Sequence, residues 1–441
     1  MMNYQTIEYV DNEIELENDY IISIPNTIDK KIIGERCVIV EPNSGMFMVL
    51  FNNNQKEIFE FIHNKTIEDI KLKYGEENED LNYILMAYFD SGLHNYKDYL
   101  VKDERKSLFI YLTDKCNFTC KHCYRNNDYL HSSVLKLSDW YGIVNEFHKN
   151  GGEEITISGG EPLLYKDIIA LINFIKNLGV KLTILSNGTL WENVFRKNTD
   201  TLKIIDEIQI SLDGYDEVSF SLMRGKGNFN KVLSNIQWLK ANEANVSLAV
   251  TASPNIVNDL ISFFNLKNFL LSLKDDFILR LTQKILPNEG IKEFDEEQYY
   301  KRIQELSECI YPNNNKAKWI SVYWSKDSRE DNCGWGNLTI NAIGDVYTCN
   351  RTDEATKIGN ALSDVFSNIL ISANYEKEKT SVNNIYPCKY CALRLLCNGG
   401  CRIDDFTSYQ GSLKRTCDQD RKDKKYMNMI DAVFEIYYGD D

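Results

Sequence analysis

The chain has 441 residues, 43% hydrophobic and 26% charged, a balance that excludes a collagen-like or wholly disordered polymer. At about 100–200 residues per domain, this length accommodates several domains, each able to bury a core. Its 50 lysines and arginines against 65 aspartates and glutamates leave a formal charge of −15, which repels phosphate backbones and anionic membrane faces, so neither nucleic acid nor a membrane is an expected partner.

The N-terminus, MMNYQTIEYVDNEIELENDY, carries acids where a secretion signal needs a basic start and an apolar run. The longest apolar stretches, such as Ile168 to Ile175, fall short of the ~20 residues that span a bilayer. A cytoplasmic protein is expected. In that reducing compartment, its 12 cysteines point to metal or redox chemistry rather than disulfides.

Within 1–98, Arg36 to Val40 and Met46 to Phe51 form a hairpin signal, with Pro42, Asn43, Ser44 and Gly45 as the turn. QKEIFEFIH, TIEDIKLKYG and EDLNYILMAYFDSGL follow with helical apolar spacing, the last two closed by Gly75 and Gly92. A hairpin packed on three short helices predicts a winged-helix-like module. It is either a structural appendage or a peptide-binding module, because an exposed sheet edge accepts an added strand.

Over 99–290, the apolar strands SLFIYLT, EITISG, KLTILS, EIQISL, VSLAVTA and FILRLTQ alternate with helical stretches. Repeated βα units predict an α/β fold with a parallel sheet, and six of them a partial (β/α)6 barrel of TIM type whose chemistry sits at the C-terminal strand ends. The informative residues fall there: Asp114 to Cys123, Gly159 to Pro162, Ser186 to Gly188 and Ser211 to Gly214. The loop Cys116-x3-Cys120-x2-Cys123 follows the first strand. Three thiolates on one tight loop can hold three irons of a cubane, leaving the fourth iron open to a substrate or cofactor. A structural zinc is the alternative, but its fourth ligand would be His122, wedged beside Cys123.

A helical bridge over 291–316 leads to a cysteine-rich tail over 317–441. Cys333 and Cys349 come first, then Cys388-x2-Cys391-x5-Cys397-x3-Cys401-x15-Cys417. Seven cysteines exceed the needs of one zinc, and an odd count cannot close as disulfides, so two auxiliary iron–sulfur clusters are the natural solution. Cys37 and Cys309 stand alone and read as small buried hydrophobes.

The C-x3-C-x2-C loop behind the first strand resembles that of radical S-adenosylmethionine (SAM) enzymes, in which SAM chelates the open iron through its amino and carboxylate groups. Gly159-Gly160-Glu161-Pro162 resembles the family's GGEP motif, whose strand edge faces the SAM amino group. Ser186-Asn187 ends the third strand, Ser211-Leu212-Asp213-Gly214 ends the fourth, and Arg224 follows. The resemblance implies that the serine and arginine positions approach the ribose and carboxylate of SAM. His122 takes the place where the family often carries an aromatic near the adenine. The implied SAM contacts are therefore His122, Gly159, Gly160, Glu161, Ser186, Asn187, Ser211 and Arg224.

The tail resembles the SPASM domain of radical SAM enzymes that modify peptides and proteins, departing only in a slightly short last spacing. That likeness implies that Cys388, Cys391, Cys397 and Cys417 hold the second auxiliary cluster and Cys333, Cys349 and Cys401 the first. The family often has a further cysteine shortly before the Cys333 position, whereas WSKDSREDN offers Asp327, Glu330, Asp331 or serine. The first auxiliary cluster is then capped by distant Cys309 or a carboxylate, or is open to a substrate atom. The N-terminal module resembles the RiPP recognition element, which binds the leader of a ribosomally made precursor peptide by strand addition.

Together these likenesses imply a peptide maturase of the sactisynthase, ranthipeptide or cyclophane-synthase kind, carrying SAM and three 4Fe-4S clusters and fed by an electron donor such as flavodoxin or ferredoxin. Reductive SAM cleavage would release a 5′-deoxyadenosyl radical that takes hydrogen from the peptide, which then closes a thioether or carbon–carbon crosslink. The surplus electron would leave through the auxiliary clusters. A formylglycine-generating, sulfatase-maturase-like enzyme is an alternative, but those relatives carry an aspartate directly after the cysteine matching Cys349, where this chain has Asn350, with Asp353 nearby. A peptide epimerase would need a hydrogen donor, for which only Cys37 and Cys309 are spare. Outside the enzymes, a zinc-stabilised peptide-binding scaffold is the rival. Neither the peptide nor a catalytic base is identified by these residues.

Overall fold

Apolar side chains at every second position make strands of Ser107–Tyr111, Glu154–Ser158, Lys181–Ser186, Glu207–Ser211, Val246–Val250 and Ile278–Leu281. In the computed structural model these six strands lie side by side in chain order, every pair parallel. The described residues are 8–10, 13–15, 17–95, 100–101, 107–123, 134–282, 285, 291, 293–311, 316–325, 328–351, 356–403, 406–408, 412–413, 417 and 419–439.

Parallel neighbours require the chain to cross back between strands, and helices such as Leu137–Lys149, Ile168–Asn177, Phe229–Ala241 and Leu260–Leu273 make the return. Their buried positions follow the helical period: Trp140, Ile143, Val144 and Phe147 on one helix, Ile168, Leu171, Ile172 and Ile175 on the next. These side chains pack on Ile155, Ile157, Leu182, Ile184, Ile208 and Ile210 from the strands in one continuous core. Each such buried aliphatic stabilises by about 1.5–3 kcal/mol. This is the run of six βα units that the sequence predicts.

The sheet continues past its first strand. Leu338–Ile340 pairs in parallel with Ser107–Tyr111, and Asp345–Tyr347 and Lys357–Asn360 add two antiparallel strands, so the sheet has nine. The helix Glu296–Ile310, capped by Asp295, buries Tyr299, Ile303, Leu306 and Ile310 in the same core.

The molecule divides into two compact units that interleave along the chain. One comprises Glu104–Pro312 and Gly334–Lys377, the other Met1–Asp103, Asn313–Cys333 and Glu378–Asp441. In the second unit, Asp29–Ile33, Arg36–Val40 and Phe47–Leu50 form an antiparallel sheet. The helices Asn53–Ile62, Ile67–Tyr74 and Glu79–Asp90 follow, capped by the side chains of Asn52, Thr66 and Asn78. One face of the sheet, with Cys37, Ile39, Met48 and Leu50, packs on these helices. Its other face, with Val38, Val40, Phe47 and Val49, packs on Ile320, Leu393 and Leu396, and on Met429, Ile430 and Val433 of the helix Gln419–Tyr438. No helix among the described residues is long and apolar enough to cross a membrane.

Candidate active site and cluster ligands

The loop after Ser107–Tyr111 is pinned from both sides. Phe118, buried between the first two cysteines, meets Phe220 edge-on at 6.4 Å, and the Lys121 amide donates to the Met223 carbonyl at 2.9 Å. Cys116 and Cys123 are exposed and Cys120 is half-buried. The Cys116 sulfur accepts from the Phe118 amide at 3.4 Å, and Asn187 Nδ2 lies 4.0 Å from it. Desolvation of the sulfurs raises the Cys116 thiol above its ordinary value and pushes Cys120 up to about 11. Each of these two thiols also carries the electrostatic influence of Cys123, so the three share one neighbourhood.

Gly159 and Gly160 are glycines because the chain leaving the first strand runs directly across them. A Cβ on Gly159 would lie 2.4 Å from the Thr113 carbonyl, and one on Gly160 2.3 Å from the Lys115 carbonyl. Gly159 also has φ +150, and the Gly160 and Glu161 amides donate to Thr113 and Lys115 at 2.7 and 2.8 Å. Glu161 is fully buried and accepts from the Leu163 amide at 3.2 Å, the Asn187 amide at 2.8 Å and Ser186 Oγ at 3.0 Å. Burial outweighs these bonds and pushes its carboxyl up to about 7.

Ser186 and Asn187 knit the third strand end to this frame. The Ser186 hydroxyl donates to Glu161 and accepts from the Gly188 amide at 3.0 Å and from Trp191 Nε1 at 3.1 Å. Asn187 Nδ2 donates to Asn117 Oδ1 at 2.7 Å, and Asn117 Nδ2 to Thr189 Oγ1 at 2.8 Å. Ser211 ends the fourth strand, partly exposed.

Arg224 is the last residue of the helix Glu217–Arg224, which Asp216 caps and Gly225 ends at φ 86. Its Nε donates to Asp213 Oδ2 at 2.5 Å, and its Nη1 lies 3.7 Å from the Cys120 sulfur. Burial alone would lower the Arg224 pKa, but Asp213 and Cys120 outweigh it and the pKa is raised. His122 Nε2 lies 3.4 Å from the same Asp213 oxygen, and burial holds the imidazole pKa below its ordinary value. Its Nδ1 is buried without a hydrogen-bond partner among the described residues.

Sequence reasoning did not single out Asn117, Thr189 and Asp213. Asp213 had a signal, since it stands inside the quoted Ser211-Leu212-Asp213-Gly214. Asn117 lies between the first two cysteines of the loop, and only the fold shows that it bridges to Asn187.

In the second unit, the Cys388 thiol lies within the electrostatic reach of Arg402, Cys397, Cys391 and Cys417. Burial pushes Cys388 up to about 11 and raises Cys391. Cys333 and Cys401 both lie within the electrostatic reach of Arg402, while Cys349 belongs to the first unit, beyond the strand Asp345–Tyr347. Cys309 sits on the helix Glu296–Ile310 and hydrogen-bonds Lys267. Asp331 is buried and accepts from Ser381 Oγ at 2.5 Å, whereas Asp327 and Asp353 lie outside the described residues.

Among the described residues, no three Cys, His, Asp or Glu side chains already stand at metal-ligand geometry, so a cluster would require the cysteine side chains to turn toward a common centre. The donor chemistry nevertheless fits. Three thiols on one pinned loop suit three irons, and the orphaned His122 Nδ1 beside them is an opening for a polar cofactor.

Residues 110–258 match the family model of the radical SAM superfamily, and residues 332–392 match that of SPASM, an iron-sulfur cluster-binding domain. This chain carries a radical SAM domain and a SPASM domain. The pair implies SAM and 4Fe-4S clusters as cofactors. An S-adenosylmethionine-dependent nucleotide dehydratase of Selenomonas ruminantium is 26% identical over 267 residues, covering 56% of this chain and 95% of that protein. Three further curated relatives are matched over only 36% to 46% of their own length. The structure of Streptococcus suis SuiB bound to precursor peptide SuiA superposes with a TM-score of 0.55 at 15% identity, over 90% of this chain and 99% of that one. Native anSMEcpe with bound AdoMet and Cp18Cys peptide gives 0.56 at 18% identity, over 75% of this chain and 97% of that one. The radical SAM domain thus spans the strand ends that carry the cysteine loop, Glu161, Asp213 and Arg224.

Proposed function

We propose that this radical SAM enzyme acts on a ribosomally made precursor peptide and installs an intramolecular thioether or carbon–carbon crosslink. The observation that carries this reading is the second unit, which holds a three-stranded sheet together with Cys388, Cys391, Cys397 and Cys417. Asp29–Ile33 is an edge strand of that sheet and offers a leader peptide a place for strand addition, as in a RiPP recognition element. The likeness to SuiB, solved with its precursor peptide, supports a peptide substrate.

Cys116, Cys120 and Cys123 would hold the SAM cluster; Cys388, Cys391, Cys397 and Cys417 the second auxiliary cluster; and Cys333, Cys349 and Cys401 the first. With its cluster and SAM bound, such a site supplies one-electron SAM cleavage and hydrogen abstraction from an unactivated carbon. The protein's part is placement. Arg224, locked by Asp213, sets a cation beside Cys120 and toward a bound carboxylate; His122 stays neutral and keeps Nδ1 for the cofactor; Glu161 holds the second and third strand ends together. A cytoplasmic flavodoxin or ferredoxin is the proposed electron donor.

The test is anaerobic incubation with SAM, a reductant and a candidate peptide taken from any short open reading frame found beside the gene. A peptide lighter by two hydrogens supports crosslinking, and an unchanged mass with an inverted residue supports epimerisation. The identity to a nucleotide dehydratase favours a nucleotide as the second reading, and turnover of nucleoside triphosphates with no change in peptide would establish it. Replacing Cys120 by Ala should abolish 5′-deoxyadenosine release, measured by liquid chromatography; release at the wild-type rate refutes the cluster assignment.

A further inference from the structure

The two faces of the six parallel strands differ in chemistry. Ile208, Ile210, Leu248, Val250, Leu279 and Leu281 pack into the core with the helices, so the residues between them face the other way. On that inner face Ser211 pairs in register with Ala249, and Ala249 with Arg280, so the three form one row across the fourth, fifth and sixth strands. With strands about 4.8 Å apart and only a methyl group at Ala249, a gap of roughly 10 Å separates the Ser211 and Arg280 backbones. The Arg280 side chain crosses the fifth strand to Glu207, the first residue of the fourth. Its Nε donates to Glu207 Oε1 at 2.8 Å and its Nη2 to Oε2 at 2.9 Å, and Ser247 Oγ donates to the same Oε1 at 2.5 Å. Glu207 is thereby fixed by three donors and orients the guanidinium. Of the five N–H donors of arginine, those on Nη1 have no partner among the described residues, and the side chain is 48% exposed. The sixth strand is secured without this pair, by its ladder to the fifth and by Tyr311, whose hydroxyl accepts from the Leu281 amide at 3.3 Å and donates to the Leu279 carbonyl.

We propose that Arg280 is a specificity-determining residue whose open Nη1 edge binds a carboxylate of the substrate peptide, an acidic side chain or the C-terminus. The inference rests on the peptide reading of the function. A guanidinium held along one edge by a protein carboxylate keeps a second edge pre-organised for another. A chain of net charge −15 repels an acidic peptide at long range, so holding one in place takes a fixed local cation. Ser211, one of the implied SAM contacts, shares the row with Arg280, so a carboxylate bound there brings neighbouring carbons of the peptide toward the SAM site.

The experiment uses the full chain, reconstituted anaerobically, with SAM and the candidate peptide from the open reading frame beside the gene. Each Asp or Glu of that peptide is changed in turn to Asn or Gln, and its C-terminus is separately amidated. If the wild-type enzyme cleaves SAM but alters no peptide, the peptide reading falls and this inference with it. Given turnover, neutralising one carboxylate should lower kcat/KM about tenfold or more, the worth of a charge-assisted hydrogen bond, and the position that responds tells a side chain from the C-terminus. Arg280→Gln should lose a similar factor on the unaltered peptide and almost nothing further on the neutralised one, because the two changes remove the same contact. Equal turnover of every neutralised peptide by the wild type overturns the role of Arg280 while leaving the peptide reading intact. So does an Arg280→Gln enzyme that loses the full factor again on the neutralised peptide, which would show that Arg280 only braces the sheet. If Arg280→Gln does not fold, Arg280→Lys takes its place in the same cycle with the same two readings.

Discussion

Asp213 holds several groups at once. Its carboxylate accepts from Arg224 and from the Thr251 amide at 2.7 Å, and it faces His122. Asp213→Ala leaves the Arg224 guanidinium buried and uncompensated, a change that typically costs about 3–5 kcal/mol. Urea unfolding of the metal-free chain should show that loss, and a change under about 1 kcal/mol would contradict the arrangement. Glu161 makes the opposite prediction. Its folded carboxyl value of about 7 lies above the ordinary 4.5, so the fold favours the protonated form. The stability from this preference is fully present below about pH 4.5 and is lost as pH rises through about 7. Glu161→Gln cannot titrate, so the stability difference between wild type and variant should drift against wild type across that window. A pH-independent difference in the metal-free protein would show that Glu161 is not held protonated.

Strand ends and their glycines decide whether the cysteine loop can close. The Gly160 position has the Lys115 carbonyl 2.3 Å from any added Cβ, and backbone there cannot yield cheaply. Gly160→Ala should therefore displace the loop one residue before Cys116 and cost the cluster proposed on Cys116, Cys120 and Cys123 its iron while the proposed auxiliary sets stay loaded, as read by iron content and by 5′-deoxyadenosine release. Full iron with wild-type release would show that the close approach is not required. Six strands, their returning helices and the cysteine loop were legible in the residues, because period-two and period-3.6 patterns are local and survive without tertiary context. Serine at 186 was legible as a site residue but not as to its partners. The fold gives its hydroxyl Glu161, Gly188 and Trp191, contacts between strand ends that no local pattern encodes.

At the scale of the molecule, the N-terminal sheet is covered on both sides. Val38, Val40, Phe47 and Val49 are each fully buried under side chains from residues 320 to 433, and each contributes about 1.5–3 kcal/mol. A fragment of Met1–Asp103 should consequently expose an apolar face and self-associate, as measured by light scattering and dye binding; a monomeric fragment that binds no dye would show that the module folds alone. The runs Cys37-Val38-Ile39-Val40 and Phe47-Met48-Val49-Leu50 are apolar at every position, which is the mark of a strand buried on both faces. The residues by themselves determined that six βα units form a parallel sheet and that three cysteines share one loop, whereas the hairpin expected at the N-terminus left its second face unassigned. Only the tertiary structure decided what covers the second face and that Asp213 ties Arg224 to His122. Each of these joins residues far apart in the chain, and burial and charge compensation act through space, not along the sequence.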